Sequence, residues 1–399
     1  MSILTSARAR IAAITGVIVL VLAGGVWVAL TQGPAQPAAA VAGTGASPSA
    51  QPSVGPLQLV SATPASGATG VSGVPDITIT FSAPVAANSP LPTITPSVAG
   101  SWQGVGTDTL RFEPSAAFSQ TTHVTVSVPA GPQGIRSARG GLLGSPAQVS
   151  FETGTYQVAR IPQLLAQLGY LPLTWEADPG VTVPASGDSL GQLAAAYSPP
   201  AGTFGWESGY PAELQNLWNN GAPDNLIIKG AVMAFQSDHN LTMDGTVGSQ
   251  VWTTLLSAVA SGQTNQNGYT YAIAAETNPE TLTIWHNGQQ VLQFLANTGI
   301  QQAPTTIGTA PVYLRYRNQI MKGTNPDGTK YADPVQFVAY FRSGEAVHYF
   351  PRGSYGWPQS LGCVELTLSD AQQAWPYLTY GSLVTVTSGA LTPAGSPTA

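Results

Sequence analysis

The chain has 399 residues, of which 8 % are charged and 43 % are hydrophobic, and its formal net charge is −6. That charge argues against nucleic acid as a partner, while the hydrophobic content suffices for well-packed cores in two or three domains. One cysteine and four histidines with no ligand spacing among them predict no metal and no cofactor.

The N-terminal segment has the features of a membrane anchor. Arg8 and Arg10 precede the uncharged residues 11–30, a run long enough to cross a bilayer. Basic residues before this run and none soon after it predict a cytoplasmic N-terminus at 1–10 and an extracytoplasmic remainder. A cleaved signal peptide is the alternative, because residues 38–42 offer small-residue cleavage sites. We expect a retained, single-pass anchor in the cell membrane.

Two further segments lack the composition of a folded domain. Residues 31–56 are Ala, Pro, Gly, Ser and Gln almost throughout and predict a flexible linker, because they cannot bury enough apolar surface. Residues 389–399 predict a disordered tail on the same grounds.

Residues 57–153 predict a β-sandwich. Apolar and polar residues alternate at 77–81 and 123–128, with shorter strands expected at 110–112 and 149–151 and with Gly and Pro between them. Short strands at this spacing over about a hundred residues are typical of an immunoglobulin-like domain. The stretch 62–82 resembles the Ig-like modules of bacterial cell-surface proteins, which implies a spacer or a docking face.

Residues 155–260 predict a small helical module. Apolar residues recur at helical spacing over 158–169, and a second helix is predicted around 231–236. The pattern from Ala231 through Phe235-Gln236 and Asp244-Gly245 to Trp252 resembles the three-helix peptidoglycan-binding module. That resemblance implies glycan as a ligand, although an insertion separates the first helix from the others. The alternative is that these helices only brace the C-terminal domain.

Residues 268–388 predict a mostly β domain. Alternating segments at 281–285 and 291–295 flank Asn287-Gly288, a strong hairpin signal. Further strands are expected at 337–341, 346–349 and 383–387. A short helix is predicted to begin near Ser369, capped by Ser369-Asp370, and to end before Pro376. The chain as a whole is therefore predicted to be multidomain and mainly β.

The single cysteine, Cys363, is the strongest chemical signal in the chain. Gly362 before it allows a tight turn that presents backbone N–H groups to an oxyanion. His348, fifteen positions earlier, can accept the thiol proton if the fold brings it close. The alternative is a small buried residue, since free cysteine is often buried.

The residues around Cys363 resemble the L,D-transpeptidase (YkuD-like) catalytic domain. The resemblance is carried by Asn297-Thr298-Gly299, by 303–309, by His348 and by Ser360-Leu361-Gly362-Cys363. It implies Cys363 as nucleophile, His348 as base, and the carbonyl of Tyr349 as the group that orients the imidazole. It also implies an oxyanion hole formed by the N–H groups of Leu361, Gly362 and Cys363.

The same resemblance implies a substrate groove and shows two departures from the family pattern. Ser360, Arg352, Tyr355 and Trp357 are expected to line the groove, although the aromatic rings could equally belong to the core. Leu361 stands where the family has histidine, and Glu365 where it has Asn or Arg. Because a carboxylate near a thiolate raises the thiol pKa, we expect Glu365 to point away or to pair with Arg352.

Basic residues accompany a segment that we expect to form a lid loop over the groove. They are Arg315, Arg317, Lys322, Lys330 and Arg352. In a chain so poor in charge they could bind substrate carboxylates, and a solvated loop is the alternative.

The function implied by the resemblance is formation of 3→3 peptidoglycan cross-links on the cell-wall side of the membrane. The expected partners are stem peptides and glycan, and a monomer is expected. An L,D-carboxypeptidase or a protein-anchoring acyltransferase would use the same thioester. A non-catalytic wall-binding protein is a further alternative, because of Leu361 and Glu365.

Overall fold

The computed structural model describes residues 54–222 and 224–389. The predicted anchor at 11–30, nearly all of the linker at 31–56 and residues 390–399 of the tail lie outside the described residues. Within the described ranges, no helix has both the length and the apolar character that crossing a membrane would require.

The first folded part is a sandwich of two four-stranded sheets. Its strand orders are β1-β3-β6-β5 and β2-β8-β7-β4, and fifteen buried apolar side chains fill the space between them. The predicted alternation holds in β3, where Ile77, Ile79 and Phe81 point inward. The strands are β1 (Leu59–Thr63), β2 (Ala68–Val71), β3 (Ile77–Phe81), β4 (Thr93–Thr95), β5 (Gly100–Gln103), β6 (Thr109–Pro114), β7 (His123–Val128) and β8 (Ala147–Thr153).

The second part contains the predicted helices and an insertion with its own structure. A two-stranded antiparallel sheet, β9 with β10, and two helices lie between the first helix and the last two. They occupy the segment that the sequence analysis treated as an insertion. The elements are α1 (Arg160–Gln167), β9 (Leu173–Ala177), α2 (Ser189–Tyr197), β10 (Gly202–Trp206), α3 (Ala212–Gln215), α4 (Leu226–Asp238) and α5 (Ser249–Ala260).

The helices pack directly on the sheet that follows them. One continuous core joins Phe235 and Leu255 of the helices to Tyr271, Trp285 and Leu383 of the C-terminal domain. At the closest approach a Cβ on Gly230 would lie 2.5 Å from the carbonyl oxygen of Gly381, so no larger residue fits there. The helices therefore brace the C-terminal domain, as one of the two interpretations of this module expected.

The C-terminal domain consists of two sheets and one short helix. The strand orders are β13-β12-β11-β19-β14 and β15-β16-β17-β18. Asn287 and Gly288 have positive φ values of 49° and 75°, as the predicted β12–β13 hairpin requires. The elements are β11 (Thr270–Ala275), β12 (Thr281–His286), β13 (Gln289–Leu295), β14 (Gly308–Pro311), β15 (Leu314–Thr324), β16 (Lys330–Arg342), β17 (Glu345–Tyr349), β18 (Val364–Leu366), α6 (Leu368–Ala374) and β19 (Leu383–Thr387).

Two local predictions in this domain are wrong, while the multidomain, mainly β fold class is confirmed. Helix α6 begins at Leu368 and its N-cap is Thr367, whose hydroxyl accepts the N–H of Asp370, so Ser369-Asp370 is not the cap. The expected lid loop is a long antiparallel pair, β15 and β16, in which Leu314 pairs with Tyr340 and Thr324 with Lys330.

Candidate active site

Two adjacent parallel strands bring Cys363 and His348 to one face of the second sheet. His348 in β17 pairs with Glu365 in β18, and Cys363 directly precedes β18. Side chains two residues apart on a strand share a face, so Cys363 and Glu365 point the same way as His348. The sheet thus unites residues fifteen positions apart in the sequence.

The shared face forms one wall of a cavity of about 230 Å³. Strands β15 and β16 of the same sheet contribute further lining residues, so the predicted lid is an antiparallel hairpin and not a loop. The lining residues are Met321, Asn325, Tyr331, Asp333, Val335, Gly344, His348, Phe350, Arg352, Gln359, Leu361, Cys363 and Glu365.

The imidazole of His348 is buried and held in one tautomer. Its Nδ1 lies 2.9 Å from the carbonyl oxygen of Tyr349. Because a carbonyl only accepts, Nδ1 carries the proton and Nε2 is left as an acceptor. Burial lowers the pKa of His348, against a smaller raising effect from that hydrogen bond. The imidazole is therefore neutral at neutral pH and able to accept a proton.

The surroundings of Cys363 favour the protonated thiol. Burial raises its pKa to about 12, with Glu365 and Glu345 adding to the rise and the N–H of Ala346 opposing it. The Sγ atom donates to the carbonyl oxygen of Gly344 at 3.7 Å. Among the described residues it has no hydrogen bond to His348, so the side chain must turn towards Nε2 before a proton can pass.

The turn before Cys363 offers two backbone N–H groups, and not three. Gly362 has φ of 105°, which a residue with a side chain would rarely adopt. Its N–H donates to the hydroxyl of Ser360 at 3.1 Å, and that hydroxyl donates to the carbonyl of Cys363 at 2.6 Å. Among the described residues, the N–H groups of Leu361 and Cys363 have no partner. In this structure the N–H of Gly362 is engaged by Ser360, and its contribution to an oxyanion hole stays a prediction.

Glu365 forms the ion pair that the sequence led us to expect. Its two oxygens accept from Nε and a terminal NH2 group of Arg352 at 2.7 and 2.8 Å. The same NH2 group reaches the carbonyl of Gln359 at 3.0 Å, and the guanidinium lies 4.6 Å from the ring centre of Phe350. The carboxylate two residues after Cys363 is thus neutralised.

Two family models match parts of the chain. Residues 270–386 match the family model described as an L,D-transpeptidase catalytic domain, and residues 53–153 match the one described as a bacterial Ig-like domain. No match was found among curated proteins.

Solved structures of L,D-transpeptidases are also similar to the chain. One from Mycobacterium smegmatis is 14 % identical, with 83 % of this chain and 99 % of that chain covered and a TM-score of 0.27. L,D-transpeptidase 3 from Mycobacterium tuberculosis, in complex with a faropenem-derived adduct, is 13 % identical over 83 % and 98 %, with a TM-score of 0.27. The catalytic domain of the E. faecium L,D-transpeptidase is 25 % identical over 29 % and 95 %, with a TM-score of 0.28.

Several residues predicted to bind substrate lie elsewhere in the transpeptidase domain. Ser360 is fully buried and bonded within its own turn. Tyr355 donates to the carbonyl of Phe350 at 2.6 Å, and Trp357, which is 53 % exposed, donates to Ser354; neither lines the cavity. Of the four residues predicted to bind substrate, only Arg352 lines the cavity. Its guanidinium group already donates to both oxygens of Glu365.

The basic residues of the β15–β16 hairpin also point away from the cavity. Arg315 stacks on Trp375 at 3.8 Å and donates to its carbonyl at 2.6 Å. Arg317 lies 5.4 Å from the ring centre of Phe337, and Lys330 donates to Thr324. The predicted carboxylate binding by this group is therefore not supported, because its best-placed members are bound to the domain itself.

Sequence reasoning missed the residues that the hairpin contributes to the cavity. Tyr331, Asp333 and Val335 alternate along β16, and Met321 lies opposite Asp333 on β15. No apolar–polar alternation marks this strand in the sequence, because Ala332 and Pro334 separate these three residues and Pro334 is itself unusual within a strand.

A second missed residue, Glu280, supports the turn from behind. Its buried carboxylate accepts the N–H and the hydroxyl of Thr298 at 2.6 and 2.8 Å. The carbonyl of Thr298 in turn accepts the N–H groups of Gln359 and Ser360, each at 2.9 Å. The Asn297-Thr298-Gly299 motif thus positions the segment that leads to Cys363.

The other titratable groups do not form a competing site. His123, His239 and His286 lie outside the cavity around Cys363. Within residues 54–222 and 224–389, no group of histidine, cysteine and acidic side chains could hold a metal ion.

Proposed function

We propose that the protein is an L,D-transpeptidase that forms 3→3 cross-links between peptidoglycan stem peptides. The observation that carries this proposal is the placement of Cys363 and His348 in one cavity, with the imidazole fixed by Tyr349 and its Nε2 free to accept a proton. The family of residues 270–386 supports the same reaction class.

The first step joins the donor stem to the enzyme. Sγ of Cys363 attacks the carbonyl between the L-centre of the diamino acid and the terminal D-Ala, so that a C–S bond forms and the C–N bond breaks. The thiol proton passes through Nε2 of His348 to the amine of the departing D-Ala. The N–H groups of Leu361 and Cys363 stabilise the oxyanion, each by about 3 kcal/mol.

The second step releases the acyl group to an amine. The amine nitrogen of a second stem attacks the thioester carbonyl, the C–N bond forms, the C–S bond breaks, and one amine proton returns through His348 to sulfur. Water in place of the amine would make the enzyme an L,D-carboxypeptidase, and an amine of a protein would make it an anchoring acyltransferase.

A non-catalytic peptidoglycan-binding role is the second candidate. Two properties of the Cys363 thiol favour it. Burial raises the pKa of the thiol to about 12, and Sγ donates its hydrogen bond to the carbonyl oxygen of Gly344 and not to His348. The two candidates differ in whether Cys363 ever forms a covalent bond with wall precursors.

The proposal also assigns a location and partners. Residues 11–30 would anchor a monomer in the cell membrane, with the transpeptidase domain on the cell-wall side, as the charges around that run support. The helical module would contact glycan. A cavity of about 390 Å³ between its helices, lined among others by Lys229, Asp244 and Trp252, offers room for such a ligand.

Intact-mass measurement after incubation with tetrapeptide stems or a carbapenem tests the proposal. We expect an adduct on Cys363, none on the Cys363→Ser variant, and acylation slowed about a hundredfold or more in His348→Ala. His123→Ala, on the exposed face of β7, is the matched control. An intact wild-type thiol without adduct would establish the non-catalytic role, and product analysis would separate dimeric muropeptides from simple release of D-Ala.

A further inference from the structure

The cavity around Cys363 contains a carboxylate that the chemistry above does not use. Asp333 lies on β16 and lines the same cavity as Cys363 and His348, and its side chain is half-buried. Among the described residues this carboxylate accepts no hydrogen bond and forms no ion pair. A carboxylate in such a place loses part of its hydration, and the attraction of the Arg352 charge offsets that loss without a direct contact.

The neighbours of Asp333 make that loss larger. Tyr331 and Val335 flank it on the same face of β16, and Met321 is its partner across the ladder on β15. Of these three side chains, only Tyr331 carries a hydrogen-bond donor, its hydroxyl, that a carboxylate could accept from. They do suit a cation, because an aromatic face attracts an ammonium group.

Arg352 is the one basic residue of the cavity lining, and it is already bound. Its guanidinium donates to both oxygens of Glu365 and to the carbonyl of Gln359. The lining therefore holds two acidic side chains, Asp333 and Glu365, against one basic side chain, a formal excess of one negative charge. Such a cavity attracts a cationic ligand and disfavours a carboxylate.

We infer that Asp333 binds the ammonium group of the amine that receives the acyl group. The inference rests on the proposed function and names its acceptor class, a primary amine that is protonated in solution. The bound ammonium first loses one proton to water, and the free amine then attacks the thioester carbonyl. The C–N bond forms, the C–S bond breaks, and a second amine proton passes through His348 to sulfur, which leaves the third on the amide nitrogen.

Partition of the acyl-enzyme between aminolysis and hydrolysis measures this contact. The full chain is acylated with a tetrapeptide stem and then exposed to glycinamide, which is mostly protonated at neutral pH, or to hydroxylamine, which is mostly unprotonated. In Asp333→Asn we expect the ratio of aminolysis to hydrolysis to fall about five- to tenfold with glycinamide and to stay unchanged with hydroxylamine. Asp333→Glu should restore most of the ratio.

Asp327→Asn is the matched control. Asp327 is an acidic residue of the same hairpin that accepts from Thr329 in the turn and does not line the cavity. It should keep the wild-type ratio with both nucleophiles. The inference would be overturned if Asp333→Asn lowered the ratio of aminolysis to hydrolysis equally with glycinamide and with hydroxylamine. It would also be overturned if the variant kept the wild-type ratio with both.

A second measurement does not depend on acylation. In the unacylated full chain, the carboxyl carbon signal of Asp333, identified by its loss in Asp333→Asn, should shift when glycinamide is added and not when N-acetylglycinamide is added. A shift without any acylation of Cys363 would refute the proposed function and keep the ammonium site. Acylation without a shift would refute the site alone.

Discussion

Arg352 and Glu365 form a bidentate ion pair beside the imidazole of His348, with nitrogen–oxygen distances of 2.7 and 2.8 Å. Glu365 is only 4 % exposed and lies across from His348 in the β17–β18 ladder. Without the guanidinium this carboxylate would be a buried charge next to the nucleophile. The pair explains how the domain tolerates an acidic residue two positions after Cys363.

Removal of the cation should damage both stability and reactivity. In Arg352→Gln we expect the free energy of unfolding to fall by about 2 kcal/mol, because Glu365 is left buried and unpaired while Arg352 itself is partly exposed. Acylation by a carbapenem should also slow, since the unpaired carboxylate raises the thiol pKa. Urea unfolding and the rate of adduct formation measure the two effects.

The double variant Arg352→Gln/Glu365→Gln tests the cause. Since it removes both charges, most of the lost stability and reactivity should return. A double variant that is as unstable as Arg352→Gln would show that the guanidinium acts through its contacts with Gln359 and Phe350 and not through Glu365.

The free thiol should react slowly at neutral pH and faster as the pH rises. Burial raises the pKa of Cys363 to about 12, so the reactive thiolate fraction grows throughout the alkaline range. The rate of alkylation by iodoacetamide should therefore increase steadily between about pH 7 and 10 without a plateau. A plateau near neutral pH would mean that the resting enzyme already holds a thiolate–imidazolium pair.

The hydroxyl of Ser360 fixes the turn that carries the nucleophile. It accepts from Gly362 and donates to the carbonyl of Cys363, so Ser360→Ala leaves two backbone groups unpaired. We expect a loss of about 1–2 kcal/mol in the free energy of unfolding and slower acylation. Ser354→Ala is the control, because the hydroxyl of the exposed Ser354 accepts only from the indole N–H of the exposed Trp357. Equal behaviour of the two variants would contradict this role.

Local sequence signals predicted the elements whose causes are local. Asn287-Gly288 predicts the β12–β13 hairpin because both residues tolerate the positive φ that its turn requires. The alternation in β3 likewise predicts which side chains are buried. The motif around Cys363 predicted that Cys363 and His348 act together, and the structure brings both residues to one cavity.

Contacts between distant segments could not be read from the sequence. Asp333 lies in a polar stretch that resembles a solvated loop, and only the pairing of β15 with β16 turns it towards Cys363. Glu280 and Thr298 are eighteen residues apart, and nothing local marks their contact. Ser360 was expected to contact substrate, whereas it is fully buried and its hydroxyl bonds the backbone of its own turn.

The carboxylate of Glu280 should make the stability of the domain depend on pH in a defined direction. Burial raises its pKa, and the hydrogen bonds from Thr298 oppose the rise only in part. A raised folded-state pKa means that the contribution of Glu280 to stability is fully present below the unfolded-state pKa and is lost as the pH rises through the folded-state pKa.

The variant Glu280→Gln removes this pH-dependent loss, and its side-chain amide can still bond Thr298. In urea unfolding between about pH 4 and 7, the free energy of unfolding of the variant should therefore rise relative to that of the wild type, by on the order of 1 kcal/mol as the pH rises. Glu152→Gln, at an exposed position of β8, should show no such trend. If the variant instead becomes less stable than the wild type as the pH rises, the ionised form of Glu280 stabilises the fold.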